Sequence, residues 1–136
     1  IAAYFTPGEA FDAIGRVTEW WAKNVEGRAE NLNDVFTVRF SGETFVTFEV
    51  TESVPGEKIV WQVTDCYLPW LKDKTEWNGT AVMFEISSLT DETQVTMTHI
   101  GLVPEVECFA GCEAGWNKHF KGSLFKLLTE NVGTPQ

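Results

Sequence analysis

The stretch that decides the fold is PEVECFAGCEAGWNKHFKGSLFKLLTEN, Pro104 to Asn131. It is long enough to form one helix of about seven turns. Placed at 100° steps, Val106, Phe109, Trp116, Phe120, Leu124 and Leu127 fall on a single stripe, with Cys112 and Ser123 at its edge. Lys118 and Lys121 fall on the far side. Pro104 suits the first helical position, where a missing N–H costs nothing. Glu105 and Glu107 place negative charge in the first turn, where the macrodipole favours it. Gly133 follows as a stop. A helix with so broad an aromatic stripe must lie on another surface, and the rest of the chain has to supply it.

That surface reads as a sheet. Phe36, Val38 and Phe40 alternate with Val35, Thr37 and Arg39. After the turn Ser41-Gly42-Glu43, Val46, Phe48 and Val50 form the next inward set. Val54-Pro55-Gly56-Glu57 turns the chain. Ile59, Trp61 and Val63 follow with the same period, then Val82, Phe84 and Ile86, then Val95, Met97 and His99. Ahead of these strands, Ile1 to Phe5 reads as a first strand. Thr6-Pro7-Gly8-Glu9 is a capping box that opens a short helix. A second helical piece carries Trp20 and Trp21. On a helix these point about 100° apart, so one should pack inward and the other lie at a rim. Gly27 to Asp34 reads as a loop. Strands joined by short turns imply an antiparallel meander. The expectation is an α+β fold. A curved antiparallel sheet of about six strands wraps one long C-terminal helix, with two short helices after the first strand.

The chain of 136 residues reads as a single domain, residues 1–136, with no internal repeat. Its net charge of −10 argues against binding nucleic acid, which needs a basic patch. No apolar run approaches membrane-spanning length, and no signal peptide is visible. Cys66, Cys108 and Cys112 are an odd number without a disulfide spacing, which points to a reducing, cytoplasmic setting.

The pattern resembles the START-like (SRPBCC) superfamily, also called the Bet v allergen-like or helix-grip fold. Within it, the sequence is similar to bacterial homologues of the heat-shock-protein ATPase activator. The matching features are Thr6-Pro7-Gly8-Glu9-Ala10-Phe11-Asp12-Ala13-Ile14 and Trp20-Trp21; Pro55 with Ile59-Val60-Trp61 and Val63; Glu76-Trp77-Asn78-Gly79-Thr80 before Phe84-Glu85-Ile86; Thr98-His99-Ile100-Gly101-Leu102; and Gly115-Trp116 with Ser123-Leu124. The resemblance implies a cavity between sheet and helix and no shared chemistry. Members of that superfamily bind lipids, sterols, polyketides and hormones, and some act as cyclases or co-chaperones.

The leading expectation is therefore a protein that holds a hydrophobic or amphipathic small molecule without a cofactor. Trp61, Trp77, Phe84, Phe109, Trp116 and Phe120 are candidate aromatic walls, joined by Met97 and Cys112. Tyr67 and Trp70 belong to an apolar loop, Tyr67 to Leu71, that could gate the site. His99 and Asp65 are the expected polar contacts, since both share the parity of inward residues on their strands. His99 has two readings: a ligand or acid–base group, or a core histidine paired with a neighbour, which is the commoner case. Asp65 with Glu76 could do acid–base work, yet no nucleophile, base and oxyanion donor occur together. Enzymatic activity, a cyclase or hydrolase using His99, is the less favoured class. Cys108 and Cys112 lie four apart, without the tight spacing of a zinc knuckle, and no metal is expected. The alternative function is a co-chaperone-like interaction module.

One stripe does not fit a solvated surface. Gly111, Gly115 and Gly122 line up opposite the core side of the final helix, each costing about 1 kcal/mol against alanine. Phe125 lies on that side too. Either a second copy approaches there, giving a homodimer, or the glycines let the helix bend.

Overall fold

In the computed structural model, the residues described are 2–40, 43–69, 77–88, 90–101, 114, 116–130 and 132–135. Thr6 caps the first helix, α1 (Pro7–Gly15), as expected: its Oγ1 accepts from the Glu9 N–H at 3.0 Å, and the Glu9 carboxylate accepts from the Thr6 N–H at 3.4 Å. A four-residue helix, α2 (Val17–Trp20), follows.

The strands are β1 (Ala2–Ala3), β2 (Asn24–Gly27), β3 (Val35–Arg39), β4 (Phe45–Val54), β5 (Lys58–Tyr67), β6 (Ala81–Ser88) and β7 (Thr93–Ile100). They form one seven-stranded sheet in the order β1-β7-β6-β5-β4-β3-β2, every pairing antiparallel. β2 to β7 is the expected meander. β1 sits at the opposite edge from β2, so α1 and α2 belong to the connection that carries the chain from one edge to the other. The sequence reading misses β2. Its residues Asn24 to Gly27 carry one partly buried valine among exposed positions, so no alternation marks it.

Gly27 ends that strand at φ 85°, where a side chain would overlap the Val35 carbonyl oxygen. Only glycine closes the β2–β3 hairpin this tightly.

Two bulges bend the long β4–β5 ribbon. Thr47 pairs with Asp65 while Phe48 pairs with Val63, so Thr64 is extra. Val50 pairs with Trp61 while Glu52 pairs with Val60, so Thr51 is extra on the other strand. Each extra residue kinks its strand and increases twist, which gives the sheet its concave face.

The inward residues of that face, Phe36, Val38, Val46, Phe48, Val50, Ile59, Trp61, Val63, Val82, Phe84 and Val95, are all buried, as their alternation predicts. The final helix covers them. Ala114 and Trp116 are helical, Asn117–Leu124 is π-helical, and α3 (Phe125–Glu130) closes the element. The first ten residues of the expected helix, 104–113, lie outside the described residues. Among the described residues no helix is long and apolar enough to cross a membrane.

Candidate functional site

The π-helical segment changes which side chains the final helix presents. Its i→i+5 ladder is wider than an α-helix. Trp116, Phe120 and Leu124, four residues apart, are buried as expected, and Leu127 continues the line. His119 and Ser123 are also buried, as a second line beside the first. Ser123 Oγ accepts from the Thr134 N–H at 2.7 Å, which ties the C-terminal tail to the helix. Gly133 then lies so close to α2 that a side chain there would overlap the Glu19 carbonyl oxygen.

Between helix and sheet the described residues bring aromatic rings together. Trp21 lies 4.9 Å from Trp116, 5.6 Å from Phe48 and 6.3 Å from Trp61, centroid to centroid. Trp61 also meets Phe84 edge-on at 4.8 Å and Phe36 at 5.0 Å. Phe120 closes onto Phe84 at 6.1 Å. Trp20 and Trp21 are both buried, against the expectation of one inward and one rim position. The reason is that α2 ends at Trp20 and sits between sheet and final helix, so both of its sides are covered.

His99 occupies the concave face, on β7, and both of its ring nitrogens are engaged. The Thr80 hydroxyl donates to the Trp77 carbonyl oxygen at 2.6 Å. Its oxygen can then only accept from the imidazole, so Nε2 carries the proton and donates to Thr80 Oγ1 at 2.8 Å. Nδ1 accepts from the Trp116 indole N–H at 3.1 Å. Trp77 packs edge-on against the imidazole at 4.5 Å and stacks with Trp116 at 6.0 Å. Burial lowers the His99 pKa to about 4. The arrangement is that of a neutral, paired core histidine. It bonds β7 to the turn before β6 and to the final helix.

Asp65 departs from the sequence reading. The extra residue Thr64 reverses the parity of β5, so Cys66 points inward and is buried while Asp65 is exposed. Its carboxylate accepts from the Cys66 N–H at 2.9 Å. Tyr67 lies opposite Phe45, on the face away from the buried Val46–Cys66 pair, and is half-buried. The sites thus gathered on the concave face are Trp61, Trp77, Phe84, Met97, His99, Trp116 and Phe120. Trp70, Phe109 and Cys112 lie outside the described residues, as do Glu76, Cys108, Gly111 and Gly115. Met97 is only half-buried although it lies between buried Val95 and His99 on the same face. Among the described residues no cluster of three or more His, Cys, Asp or Glu is placed to hold a metal ion.

Among the described residues, two buried polar atoms have no hydrogen-bond partner: Trp61 Nε1 and His119 Nδ1. Leaving such a group unpaired costs about 1–3 kcal/mol. Burial, and then the neighbouring Lys118 charge, lower the His119 pKa. His119 was not singled out in the sequence. Its position three after Trp116 and four before Ser123 was the available signal.

Comparison with known proteins supports this architecture. Residues 6–129 match the family model described as Activator of Hsp90 ATPase homolog 1-like protein. The solution structure of the Aha1 dimer from Colwellia psychrerythraea is similar at 23% identity and a TM-score of 0.75, covering 94% of this chain and 91% of that one. DynU16, from the dynemicin biosynthetic locus, is similar at 16% identity and a TM-score of 0.70, over 98% of this chain and 46% of that one. Protein SSP2350 from Staphylococcus saprophyticus is similar at 13% identity and a TM-score of 0.71, over 100% of this chain and 95% of that one. No curated protein sequence is matched by the chain.

Proposed function

This chain belongs to the Activator of Hsp90 ATPase homolog 1-like family, and from that premise we propose that it holds a small hydrophobic or amphipathic molecule on the concave face of its sheet. The observation that carries the reading is Trp61. Its indole is fully buried among aromatic rings, and its N–H has no acceptor among the described residues. A ligand oxygen supplied from the concave side would relieve that cost, while the surrounding rings would take up an apolar body. Met97, half-open on the same face, is the nearest described point of access on β7. His99 acts here as scaffold, because its nitrogens already serve Thr80 and Trp116.

Native mass spectrometry of the purified chain tests this reading. A co-purified small molecule is expected, and its occupancy should fall about five- to tenfold in Trp61→Phe, the loss of one hydrogen bond. Phenylalanine keeps an aromatic ring at the position, and circular dichroism checks that the variant is folded. A bare 15.3 kDa chain in both proteins would sink the reading.

A second reading is docking to another protein chain, the class that includes co-chaperone-like action. The outer side of the final helix favours it: a side chain at Gly122 would meet nothing within 4 Å, and Phe125 beside it is only half-buried. The Colwellia relative is itself described as a dimer. A homodimer through this side predicts twice the 15.3 kDa monomer mass in light scattering at micromolar concentration, restored to monomer by Phe125→Glu. A monomer for the unmodified chain ends that reading.

A further inference from the structure

Among the described residues, open space lies beside α1. One recess of about 280 Å³ is floored by Phe11, Val50 and Ile59. A second, of about 360 Å³, runs along α2 and the segment 25–30. Both are bordered by Gly15, Arg16, Ala29 and Glu30, so they form one groove with two lobes. At the neck between them α1 presses on the loop: a side chain at Gly15 would come within 3.1 Å of the Ala29 carbonyl oxygen.

The two lobes differ in chemistry. The first has the apolar floor. The second is bordered by both arginines of the groove, Arg16 and Arg28, of which Arg16 also borders the first. Arg28 is exposed and has no ion-pair partner among the described residues. Among the described residues Arg16 is paired only with Glu19, at 3.4 Å, with both side chains more than 40% exposed. A pair of that kind is worth about 0–1 kcal/mol, so an incoming anion displaces Glu19 cheaply. The chain as a whole carries twice as many acids as bases, 20 against 10. An anion therefore needs a local cation pair to overcome the general field, and this groove supplies one. Asp12, Glu19 and Glu30 also border it, which disfavours a ligand of more than one negative charge.

We infer that the groove between α1, α2, segment 25–30 and the β4–β5 ribbon binds a small monoanionic amphiphile. Its apolar body lies on Phe11, Val50 and Ile59, and its carboxylate or sulfonate is held by Arg16 and Arg28. The groove's floor adjoins the site centred on Trp61, since Val50 is the cross-strand partner of Trp61, but its arginine pair does not rest on that reading.

The probe is 8-anilinonaphthalene-1-sulfonate, followed by fluorescence, with uncharged N-phenyl-1-naphthylamine as its partner. Arg16→Gln combined with Arg28→Gln removes two exposed charges and no core contact. The sulfonate dye should bind the unmodified chain and lose about tenfold in affinity in the double variant, as expected for a charge-assisted contact. The neutral dye should change by less than about twofold between the two proteins. Amide shifts on adding the sulfonate dye should centre on Gly15, Ala29 and Ser53, and Trp61→Phe should leave its affinity unchanged. Equal affinity of the sulfonate dye for the unmodified chain and the double variant, absence of binding, or shifts centred on the Trp61 and Trp116 indoles would each overturn the inference.

Discussion

Trp20→Ala lowers the unfolding free energy by about 4 kcal/mol, at the upper end for a truncated core side chain. Trp20 is fully buried at the meeting point of three layers. Its ring stacks on Trp21 at 6.0 Å and Trp61 at 6.4 Å, and meets Phe84 edge-on at 6.3 Å. Truncation leaves a cavity that these large, mutually packed rings cannot refill. It also removes the bond from Trp20 Nε1 to the Ile14 carbonyl oxygen, 3.2 Å long and buried. That oxygen lies in the last turn of α1, where helix carbonyls lack an intrahelical partner. Trp20→Phe separates the two effects. It keeps most of the ring and abandons the carbonyl, so it should cost about 1–2 kcal/mol. Urea unfolding followed by circular dichroism gives both values. Losses below about 1 kcal/mol in both variants would mean that α2 is not part of the core.

The same ring layer shows what a sequence can and cannot disclose. The strands β3 to β7 were legible because one face of each is buried, and burial imposes strict alternation on the residues. β2 was not, because an edge strand with mostly exposed positions feels no such demand. Asp65 shows a subtler limit. Its parity with Trp61 was read correctly on a regular strand, but Thr64 is one residue too many, and a single insertion moves every later side chain to the other face. Nothing in the composition of β5 announces the bulge; it becomes visible only against β4. The final helix has the same character. Its apolar line was legible, yet the π-helical winding that buries His119 beside it depends on how the helix meets α2 and the tail. His99 was placed on the right face, but its partners come from Thr80 and Trp116, 19 and 17 residues away in sequence. The sequence named the residue, and only the fold could say that its nitrogens were already engaged.

That engagement fixes the sign of a pH effect. In the folded chain His99 has a pKa of about 4, against a usual histidine value of 6.5. The unfolded chain therefore takes up a proton on His99 first. Above pH 6.5 the group is neutral in both states and stability is full. As pH falls from 6.5 towards 4, the unfolded state gains a proton that the folded state refuses, and stability declines. The shift corresponds to a loss of about 3 kcal/mol across that window, after which the His99 contribution levels off. Protonation is resisted first because the imidazole is buried; in addition, a proton on Nδ1 would face the Trp116 indole N–H, itself a donor, and the described ring neighbours Trp77 and Trp116 carry no charge to stabilise the cation. His119, also held below the usual value, pulls in the same direction. His99→Gln isolates the effect, since glutamine offers a donor and an acceptor but does not titrate. Unfolding free energies of the two proteins should run parallel above pH 6.5 and converge by about 3 kcal/mol as pH is lowered to about 4. Parallel curves throughout the window would show that His99 is free to protonate in the folded chain. The chain Trp116–His99–Thr80–Trp77 would then not hold in solution, and His99 would return to the list of groups able to serve a ligand.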